Sequence, residues 1–560
     1  MLLQVENLKT HLRAGNSIVK AVDGVSFSID KGEIFCLVGE SGSGKSITAL
    51  SVIQLIPKDI CNHPDGRIAF RCGALDGSGE RAVLDMLTLS EEEKRQVCGA
   101  RIAMIFQEPM TSLNPVFTIG DQIIEVLQIH WPEMSDAEAH KRAIAALKQV
   151  QIPDPEVRVD EYPHRLSGGQ RQRVMIAMAV ACEPDLLIAD EPTTALDVTV
   201  QAEILRLMKE LQKRKGMSIL FITHDFGVVA KMADRVAVMR QGKIVESGTL
   251  EQVLHHPQHD YTKQLLAALP ENLKRQRDLK LIETPSRKES VVHEMNEPPL
   301  IELQQLEVYF PIKKGLFRRT VDHVKAVDGI DLKIPEGQLL ALVGESGCGK
   351  TTLGRAILRL IDSTAGSISF NRQVITHLNR KEMIPLRREM QIIFQDPMSS
   401  LNPRMTIVST LIEPMAVHGI GASKEERIEI ARKILQRVQL EGEHLWRYPH
   451  EFSGGQRQRI GLARALVLNP KFIVCDEVTS ALDVSVQAEV LQLLLELRAE
   501  KNLTLLFITH DISVVEYISD EMAVMHKGKI VERGPTDDIC RNPQKKYTQD
   551  LLAAVPRLIL

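Results

Sequence analysis

Two acidic residues at the end of an apolar run, preceded by a glycine turn, have types and spacing suited to chemistry. From Arg165 to Asp197 the sequence is RLSGGQRQRVMIAMAVACEPDLLIADEPTTALD. The run Leu186 to Ala189 predicts a buried strand that delivers Asp190 and Glu191 at its carboxyl end, where ligands of open α/β sheets bind. One acid is suited to holding a magnesium ion and the other to orienting a water molecule.

The glycine turn predicts an anion site. It precedes an apolar helix, so its backbone N–H groups and the positive end of the helix dipole can face a phosphate. The stretch recurs once, 286 residues later, as EFSGGQRQRIGLARALVLNPKFIVCDEVTSALD, with Asp476 and Glu477 as its acids. The turn residues are Ser167, Gly168, Gly169 and Gln170 in the first copy and Ser453, Gly454, Gly455 and Gln456 in the second.

A second phosphate-binding motif lies upstream of each copy. GESGSGKS ends at Ser46 and GESGCGKT ends at Thr351, and each stands between an apolar strand and an apolar helix. In G-x-x-x-x-G-K-[ST] the backbone N–H groups wrap phosphate oxygens, the lysine reaches the terminal phosphates and the hydroxyl binds magnesium. The predicted nucleotide-binding residues are Gly39, Glu40, Ser41, Gly42, Ser43, Gly44, Lys45, Ser46 and Ile47, then Gly344, Glu345, Ser346, Gly347, Cys348, Gly349, Lys350, Thr351 and Thr352.

One histidine follows each acidic pair. His224 and His510 end the apolar runs MSILFIT and TLLFIT, and each lies 33 residues after the glutamate of its half. A histidine at the end of a strand beside a nucleotide can contact the terminal phosphate, whereas the alternative is a histidine with only local hydrogen bonds. The equal spacing favours the functional interpretation.

The elements that must position these residues follow from local patterns. Residues 3–34 alternate apolar and polar side chains around a turn at Ala14 to Asn16, which predicts antiparallel strands. From Gln107 to Tyr162 the pattern is helical, with capping boxes expected at Ser135 and, in the second half, Ser423. Each half therefore holds a helical insert between its two phosphate-binding motifs.

The repeat divides the 560 residues into two similar halves. We predict a first domain at 1–270, a charged linker at 271–299 and a second domain at 300–560. The first half holds 17 extra residues between its GKS motif and Gln107, which we place within Ala74 to Arg95. Three histidines, His255, His256 and His259, suggest a metal site, but the second copy has none there, which favours a turn.

Composition excludes several classes. The net charge of −4 disfavours a general nucleic-acid binder, and no apolar run approaches the ~20 residues of a membrane-spanning helix. We expect no secretory signal, because the start MLLQVENLKT lacks a basic region followed by an apolar one. The eight cysteines form no C-x-x-C pair, so buried thiols are expected, with a metal or disulfide role open mainly for Cys61, Cys72 and Cys98.

With these motifs in one order, twice, the chain resembles the ATP-binding cassette (ABC) ATPases across nearly its whole length. IFQEPMTSLNP and IFQDPMSSLNP, YPHRLSGGQRQR and YPHEFSGGQRQR, and PQHDYTKQLL and PQKKYTQDLL are similar to the dipeptide/oligopeptide importer branch, some members of which fuse both ATPases in one chain. The resemblance implies an α/β fold class with two tandem P-loop NTPase domains. Each domain would have a RecA-like core, an antiparallel β subdomain and a helical subdomain.

The resemblance also implies two composite ATP sites in an intramolecular pseudo-dimer, each with the P-loop of one half and the glycine turn of the other. Glu191 and Glu477 would activate water, and His224 and His510 would hold the γ-phosphate. Asp197 and Asp483 would lie at the interface between cassettes. The implied magnesium ligands are Ser46, Gln107, Asp190, Thr351, Gln395 and Asp476.

Two departures from the family pattern are visible. Phe310 fits the aromatic residue that stacks on adenine, but the aligned residue of the first half is Leu12, beside His11. Stacking at the first site is therefore in question, although its hydrolytic residues are complete. Val478 stands where the first half has Pro192, which we expect to be tolerated because the acid before it is unchanged.

The cofactors implied are ATP and Mg2+. The partners implied are two transmembrane permeases and an extracytoplasmic solute-binding protein, which would place this chain at the cytoplasmic face of the bacterial inner membrane, without nucleic acid. A peptide, glutathione or a peptide antibiotic is the expected solute, and nickel is an alternative. A twin-cassette ATPase acting on ribosomes is a second hypothesis, disfavoured by the short linker of mixed charge, and a DNA-repair ATPase would need a coiled coil that the sequence lacks.

Overall fold

The computed structural model describes residues 1–15, 17–73, 81–107, 112–194, 196–283, 298–314, 319–395, 400–480 and 482–556. These form two compact units. One comprises the described residues of Met1–Leu196 and Val200–Leu266 together with Pro556, and the other comprises those of Asp197–Thr199 and Ala267–Val555.

A six-stranded, mostly parallel sheet forms the centre of the first unit. Its order is β11-β10-β3-β9-β8-β7, with only β11 antiparallel to its neighbour. Every residue of β3, β8 and β9 is buried, as expected for parallel strands covered on both faces. The strands are β3 Ile34–Val38, β7 Ile102–Ile105, β8 Leu186–Asp190, β9 Ser218–Thr223, β10 Arg235–Arg240 and β11 Lys243–Thr249.

An antiparallel sheet packs beside it, in the order β2-β1-β5-β6, and β4 pairs with β1. Side chains of both sheets and of helix α1 share one core that includes Leu3, Phe35 and Val52. The predicted antiparallel strands are confirmed. The elements are β1 Leu3–Ala14, β2 Ser17–Ile29, β4 Cys61–Asn62, β5 Arg67–Gly73, β6 Arg81–Asp85 and α1 Lys45–Val52.

The extra residues of the first half are not all in the predicted segment. Gly66 and Gly366 occupy equivalent turns against β1 and its second-half counterpart, yet Gly66 lies 21 residues after Lys45 whereas Gly366 lies 16 after Lys350. Five of the 17 residues therefore precede Gly66 and supply β4. The placement within Ala74 to Arg95 is wrong for these five, and residues 74–80 lie outside the described residues.

The helical insert is confirmed in both halves. Ser135 and Ser423 cap their helices by accepting the N–H groups of Glu138 and Glu426, but neither glutamate accepts the N–H of its serine, so the predicted capping boxes are only half formed. After α1, the described helices of the first half are α2 Glu91–Val97, α3 Ile119–His130, α4 Asp136–Gln149, α5 Pro155–Arg158, a 3-10 turn Pro163–Arg165, α6 Gly168–Val180, α7 Val198–Lys215, α8 Phe226–Met232, α9 Leu250–His255 and α10 Asp260–Ala267.

The second unit repeats both sheets, in the orders β13-β12-β15-β16 and β17-β18-β19-β14-β20-β21. Its strands are β12 Ile301–Lys314, β13 Arg319–Ile334, β14 Leu339–Val343, β15 Ala365–Phe370, β16 Gln373–Val374, β17 Met390–Ile393, β18 Phe472–Asp476, β19 Thr504–Ile508, β20 Glu521–His526 and β21 Lys529–Pro535. Its helices are α11 Pro270–Glu283, α12 Lys350–Ile357, α13 Arg380–Glu389, α14 Ile407–Val417, α15 Lys424–Arg437, α16 Gly454–Leu466, α17 Val484–Lys501, α18 Ile512–Ile518, α19 Thr536–Arg541 and α20 Lys546–Ala554, with 3-10 turns Gly442–Trp446 and Pro449–Glu451.

Part of the predicted linker is an ordered helix of the second unit. α11 packs against α18, where Ser513 donates to Glu271 at 2.6 Å, and Lys274 of α11 pairs with Asp537 of α19 at 2.6 Å. Residues 284–297 of the linker lie outside the described residues, as do 108–111 and 396–399 of the two IFQ motifs. The predicted domain boundaries stay predictions.

Among the residues that the structure describes, no helix is both long and apolar enough to span a bilayer.

Candidate functional site

The predicted site residues of each half follow neighbouring strands at one edge of the parallel sheet. Across the first sheet, the P-loop follows β3, His224 follows β9, Glu191 follows β8 and Gln107 follows β7. The second sheet has the same sequence of neighbours on β14, β19, β18 and β17. Parallel strands end at the same edge, which explains why residues far apart in the chain meet there.

Both P-loops are fixed by close backbone contacts that only glycine permits. Gly39 has φ +152° and a Cβ there would collide with the Met239 carbonyl, and Gly44, with φ +103°, abuts the Ala21 carbonyl. Lys45 is buried and donates to the carbonyls of Gly39 at 2.7 Å and Glu40 at 2.9 Å. Lys350 makes the equivalent bonds at the same distances.

The P-loop hydroxyl and the first acid meet in each half. Ser46 Oγ donates to Asp190 Oδ1 at 3.0 Å, and Thr351 Oγ1 donates to Asp476 Oδ1 at 2.9 Å. Burial raises the pKa of both aspartates, and the hydroxyl bond opposes this shift. A hydroxyl beside a carboxylate is a pair of hard oxygen donors, the ligand chemistry that Mg2+ prefers.

Glu191 collects three donors. Gln107 Nε2 and Thr194 Oγ1 donate to Oε2 at 3.0 and 2.9 Å, and His224 Nδ1 lies 3.1 Å from Oε1. Burial alone would raise the pKa of Glu191, but the bond and charge of His224, with Thr194, outweigh it and lower this pKa to about 2. Burial lowers the pKa of His224, and Glu191 more than reverses this, so the imidazole pKa is raised.

Glu477 has a looser version of the same cluster. Gln395 Nε2 donates to its Oε2 at 2.6 Å, but His510 Nδ1 lies 3.6 Å from Oε1. Ser480, at the position of Thr194, donates to the Glu477 main-chain oxygen at 3.0 Å. Burial raises the pKa of Glu477 while His510 lowers it, and the net shift is downward; the pKa of His510 is raised by Glu477 against the effect of its burial.

Both glutamates are held in a strained backbone conformation. Glu191 has φ +46° and Glu477 has φ +48°, a left-handed conformation that costs a non-glycine residue ~1–3 kcal/mol. The N–H of each glutamate donates to the strand beside it, to Ile222 at 3.0 Å and Ile508 at 2.9 Å. These backbone bonds hold each glutamate against the strand that precedes the histidine of its half.

The glycine turns form the exposed N-terminal ends of two helices that are otherwise largely buried. Ser167 Oγ accepts the N–H of Gln170 at 3.3 Å, and Ser453 and Gln456 repeat this capping bond at 3.3 Å. Gly169 and Gly455 are needed for packing, because a Cβ there would collide with Val200 and Val486. By contrast, a Cβ at Gly168 or Gly454 would meet no atom of the described residues within 4 Å.

The two predicted adenine positions lie on matching registers. Phe310 pairs with Val324 and is 41% exposed, and Leu12 pairs with Val19. Ala21 and Ala326, two residues beyond those valines, contact the P-loop glycines Gly44 and Gly349. In the first half Leu12 also pairs with Cys61 of the added strand β4. Among the described strands, no second strand pairs with Phe310 in this way.

The remaining predictions concern metals and cysteines. None of the eight cysteines forms a disulfide, and the described residues contain no cluster of three His, Cys, Asp or Glu that could hold a metal ion. His256 and His259 lie between α9 and α10, so the turn interpretation is confirmed. Asp197 belongs to the second unit with Thr199, and Ala195 and Ala481 of the two ALD motifs lie outside the described residues.

Sequence reasoning missed three residues near these sites. Thr194 donates to Glu191, and Tyr261 and Tyr547 contact the second residue of each P-loop. A signal for the tyrosines was present, since PQHDYT and PQKKYT recur at the same offset of 286 as the glycine turns.

Comparisons with known proteins agree with the repeat. The family model described as ABC transporter matches residues 22–194 and 327–480. A second model, described as the C-terminal region of oligopeptide/dipeptide transporters, matches residues 245–296 and 531–559.

Curated relatives match over nearly the whole chain. The chain is 52% identical over 553 residues to the peptidoglycan transport ATP-binding protein YejF of Agrobacterium fabrum, covering 99% of this chain and 96% of that protein. It is 48% identical over 565 residues to the glutathione import ATP-binding protein GsiA of Salmonella typhimurium, covering 99% and 89%. A solved dimeric ATP-binding cassette with bound ADP and Pi is 27% identical, covers 44% of this chain and 99% of its own, and has a TM-score of 0.39.

Proposed function

The chain belongs to the ATP-binding proteins of ABC transporters, in the dipeptide/oligopeptide importer branch, and we propose that its two halves hydrolyse ATP at two composite sites to drive solute uptake. The observation that carries this proposal is the glutamate cluster repeated in both units. In each, the glutamate follows the strand next but one to the P-loop strand, and it is bonded to a glutamine and paired with a histidine.

In this proposal Glu191 and Glu477 are the catalytic residues that orient the attacking water and accept its proton. Their lowered pKa keeps both carboxylates ionised at neutral pH, as an acceptor requires. His224 and His510, whose pKa is raised by the neighbouring glutamates, are donors suited to a terminal phosphate. Lys45 and Lys350 neutralise phosphate charge, which is the main protein contribution in phosphoryl transfer.

Magnesium would be held by Ser46 with Asp190 and by Thr351 with Asp476, and the hydroxyl–carboxylate pairs fit its preference for oxygen ligands. When bound, the ion would neutralise phosphate charge. Gln107 and Gln395 are also proposed as ligands. Their amides donate to Glu191 and Glu477, so they would connect the metal to the proposed catalytic residue.

The proposal assigns each glycine turn to the nucleotide of the other half. Each half already has a P-loop for its own phosphates. Gly168 and Gly454 have neither a positive φ nor a close described neighbour that would require glycine. A ligand that approaches the backbone closely would explain glycine at these positions.

Partners and solute follow from the relatives. We propose that the chain associates with two membrane permeases and works with an extracytoplasmic binding protein, at the cytoplasmic face of the inner membrane. The proposed solute is a peptide or a peptide-like compound such as glutathione, because the similar proteins are named for peptidoglycan transport and glutathione import. Neither the ribosomal alternative nor nickel uptake is favoured by these relatives.

Ser453→Arg tests the composite sites. In a Glu477→Gln chain assembled with its permeases, hydrolysis depends on Glu191, and Ser453→Arg should reduce it at least tenfold by blocking the turn that completes this site. In a Glu191→Gln chain, the same substitution should have a smaller effect. Ser167→Arg is the matched control and should give the reverse pattern. If Ser453→Arg impaired the Glu477 site more, the crossed arrangement would be wrong.

A further inference from the structure

In each half, the segment that follows the last strand carries a tyrosine that contacts the P-loop, Tyr261 in the first half and Tyr547 in the second. We call it the C-terminal segment of that half. The segment is fixed by a turn that hydrogen-bonds to a carboxylate of the last strand. In the first unit the Glu246 carboxylate, on β11, accepts the N–H groups of Gln258 at 2.7 Å and His259 at 3.1 Å. Glu532 does the same for Gln544 and Lys545 in the second unit, at 2.7 and 3.2 Å.

This turn places Tyr261 against the second residue of the P-loop. Tyr261 is 4% exposed, and its Oη donates to Glu40 Oε2 at 2.8 Å. The Arg240 guanidinium lies over the tyrosine ring, 4.5 Å from its centroid. Arg240 ends β10, the strand beside β3, so a cation, a ring and a carboxylate are packed in series beside the P-loop.

The charge of Glu40 explains why such a contact matters. A carboxylate in a phosphate-binding loop repels a nucleotide, and the repulsion grows as the surrounding dielectric falls. Burial together with Glu40 raises the pKa of Tyr261, so the hydroxyl keeps its proton and donates to the carboxylate. This bond ties the Glu40 carboxylate to Tyr261 of α10. The Lys45 ammonium donates to the main-chain oxygen of Glu40 at 2.9 Å.

The second unit uses the same tyrosine differently. The Glu345 N–H donates to Tyr547 Oη at 3.2 Å, so here the tyrosine holds the backbone of the P-loop. The Glu345 carboxylate instead accepts from Thr199 Oγ1 at 3.2 Å, within the second unit. His526 takes the place of Arg240 and lies 4.0 Å from the tyrosine ring.

We infer that Tyr261 is a positioning residue for ATP binding at the first P-loop, which it serves by holding the Glu40 carboxylate in a fixed hydrogen bond, with Arg240 supporting the ring. The inference rests on the proposed function, since it concerns the same ATP site. Through Tyr261, the C-terminal segment of the first half would affect the affinity of the first P-loop for ATP.

The test measures equilibrium binding of ATP to the full chain carrying Lys350→Ala, which leaves only the first P-loop intact. Tyr261→Phe keeps the ring and removes the hydroxyl, and we expect it to weaken ATP binding about fivefold, with more loss at low ionic strength because salt screens the released charge. Glu40→Gln added to Tyr261→Phe should restore most of the affinity. A purely structural role of the hydroxyl would not be rescued by removing this charge.

Tyr547→Phe in a Lys45→Ala chain is the matched control. Because Tyr547 accepts a backbone N–H and does not bond the Glu345 carboxylate, Glu345→Gln should not restore any ATP affinity lost in Tyr547→Phe. An affinity indifferent to Tyr261→Phe, or a loss that Glu40→Gln fails to rescue, would overturn this inference alone. If neither half bound ATP in the unsubstituted chain, the proposed function itself would fail and this inference with it.

Discussion

The two halves carry the same predicted hydrolytic residues, yet they surround their glutamates differently. Glu191 takes hydrogen bonds from Gln107 and Thr194 and has His224 at 3.1 Å, whereas Glu477 takes one from Gln395 and has His510 at 3.6 Å. The change from Thr194 to Ser480 moves one hydroxyl from the carboxylate to the main chain. Complete motifs therefore do not make equivalent sites.

The difference has a chemical consequence for the proposed base. A carboxylate whose pKa is held near 2 accepts a proton weakly, and each hydrogen bond it already receives lowers its basicity. Glu477, with fewer donors on its side chain, should be the stronger base. We therefore expect the second half to turn over faster than the first.

The largest expected effect tests this ranking directly. Glu477→Gln should lower the ATPase rate of the permease-bound complex by about tenfold, because only the slower first site then remains, and Glu191→Gln by less than about twofold, because the faster second site still turns over. The double substitution should leave only background hydrolysis. Measurement is by phosphate release at saturating ATP, with binding of ATP as the control for folding. Equal losses from the two single substitutions would contradict the ranking, and the reverse order would invert it.

Much of this arrangement follows from the sequence because the motifs are local. Strand β3 ends at Val38, directly before the P-loop, and the acids and the histidine each lie at the end of a buried strand, as their apolar runs predict. The helix α11 was not foreseen. Its sequence lacks an apolar face, but its Glu, Lys, Arg, Leu and Gln residues favour a helix, and contacts such as Lys274 with Asp537 hold it.

Other features depend on contacts between distant residues, which no local pattern encodes. Tyr261 meets Glu40 across 221 positions of the chain. Whether the hydroxyl at 194 or 480 reaches a carboxylate or a main-chain oxygen depends on a rotamer, and Thr194 is partly buried whereas Ser480 is exposed. The site residues were predictable from the sequence, while the inequality of the two sites was not.

The nucleotide base offers a second way to sharpen the comparison. Phe310 offers an exposed ring to the second site, and Leu12 offers none to the first. Stacking on a base is worth ~1–3 kcal/mol, so Phe310→Ala in a Lys45→Ala chain should weaken ATP binding about tenfold. Leu12→Phe in a Lys350→Ala chain should tighten it several-fold. Titration with ATP and with inorganic triphosphate separates base from phosphate contributions, and an equal loss for both ligands would exclude stacking.

The smallest expected effect isolates the hydroxyl that distinguishes the two halves. Thr194→Val keeps the shape of the side chain but removes one donor to Glu191. The substitution should raise the pKa of that carboxyl and lower the free energy of unfolding by ~1 kcal/mol at pH 7. Ser480→Ala is the control and should change little, because its hydroxyl is exposed and bonds only the main chain of Glu477.

The pH dependence gives this last prediction its sign. The lowered pKa of Glu191 contributes stability that is complete above 4.5, the ordinary glutamate value, and is lost as pH falls toward about 2. The unfolded state is the same for this carboxyl in both chains, so the difference between Thr194→Val and the unsubstituted chain should stay constant from pH 7 down to the folded-state pKa of the variant carboxyl and shrink only as pH falls from there toward about 2. Thermal melts should show the same shift of about 2 °C at pH 7 and about pH 5, and a smaller one near pH 2. A shift that persisted unchanged to about pH 2 would mean that Thr194 stabilises the fold by packing, and the two glutamates would then differ only through their histidines.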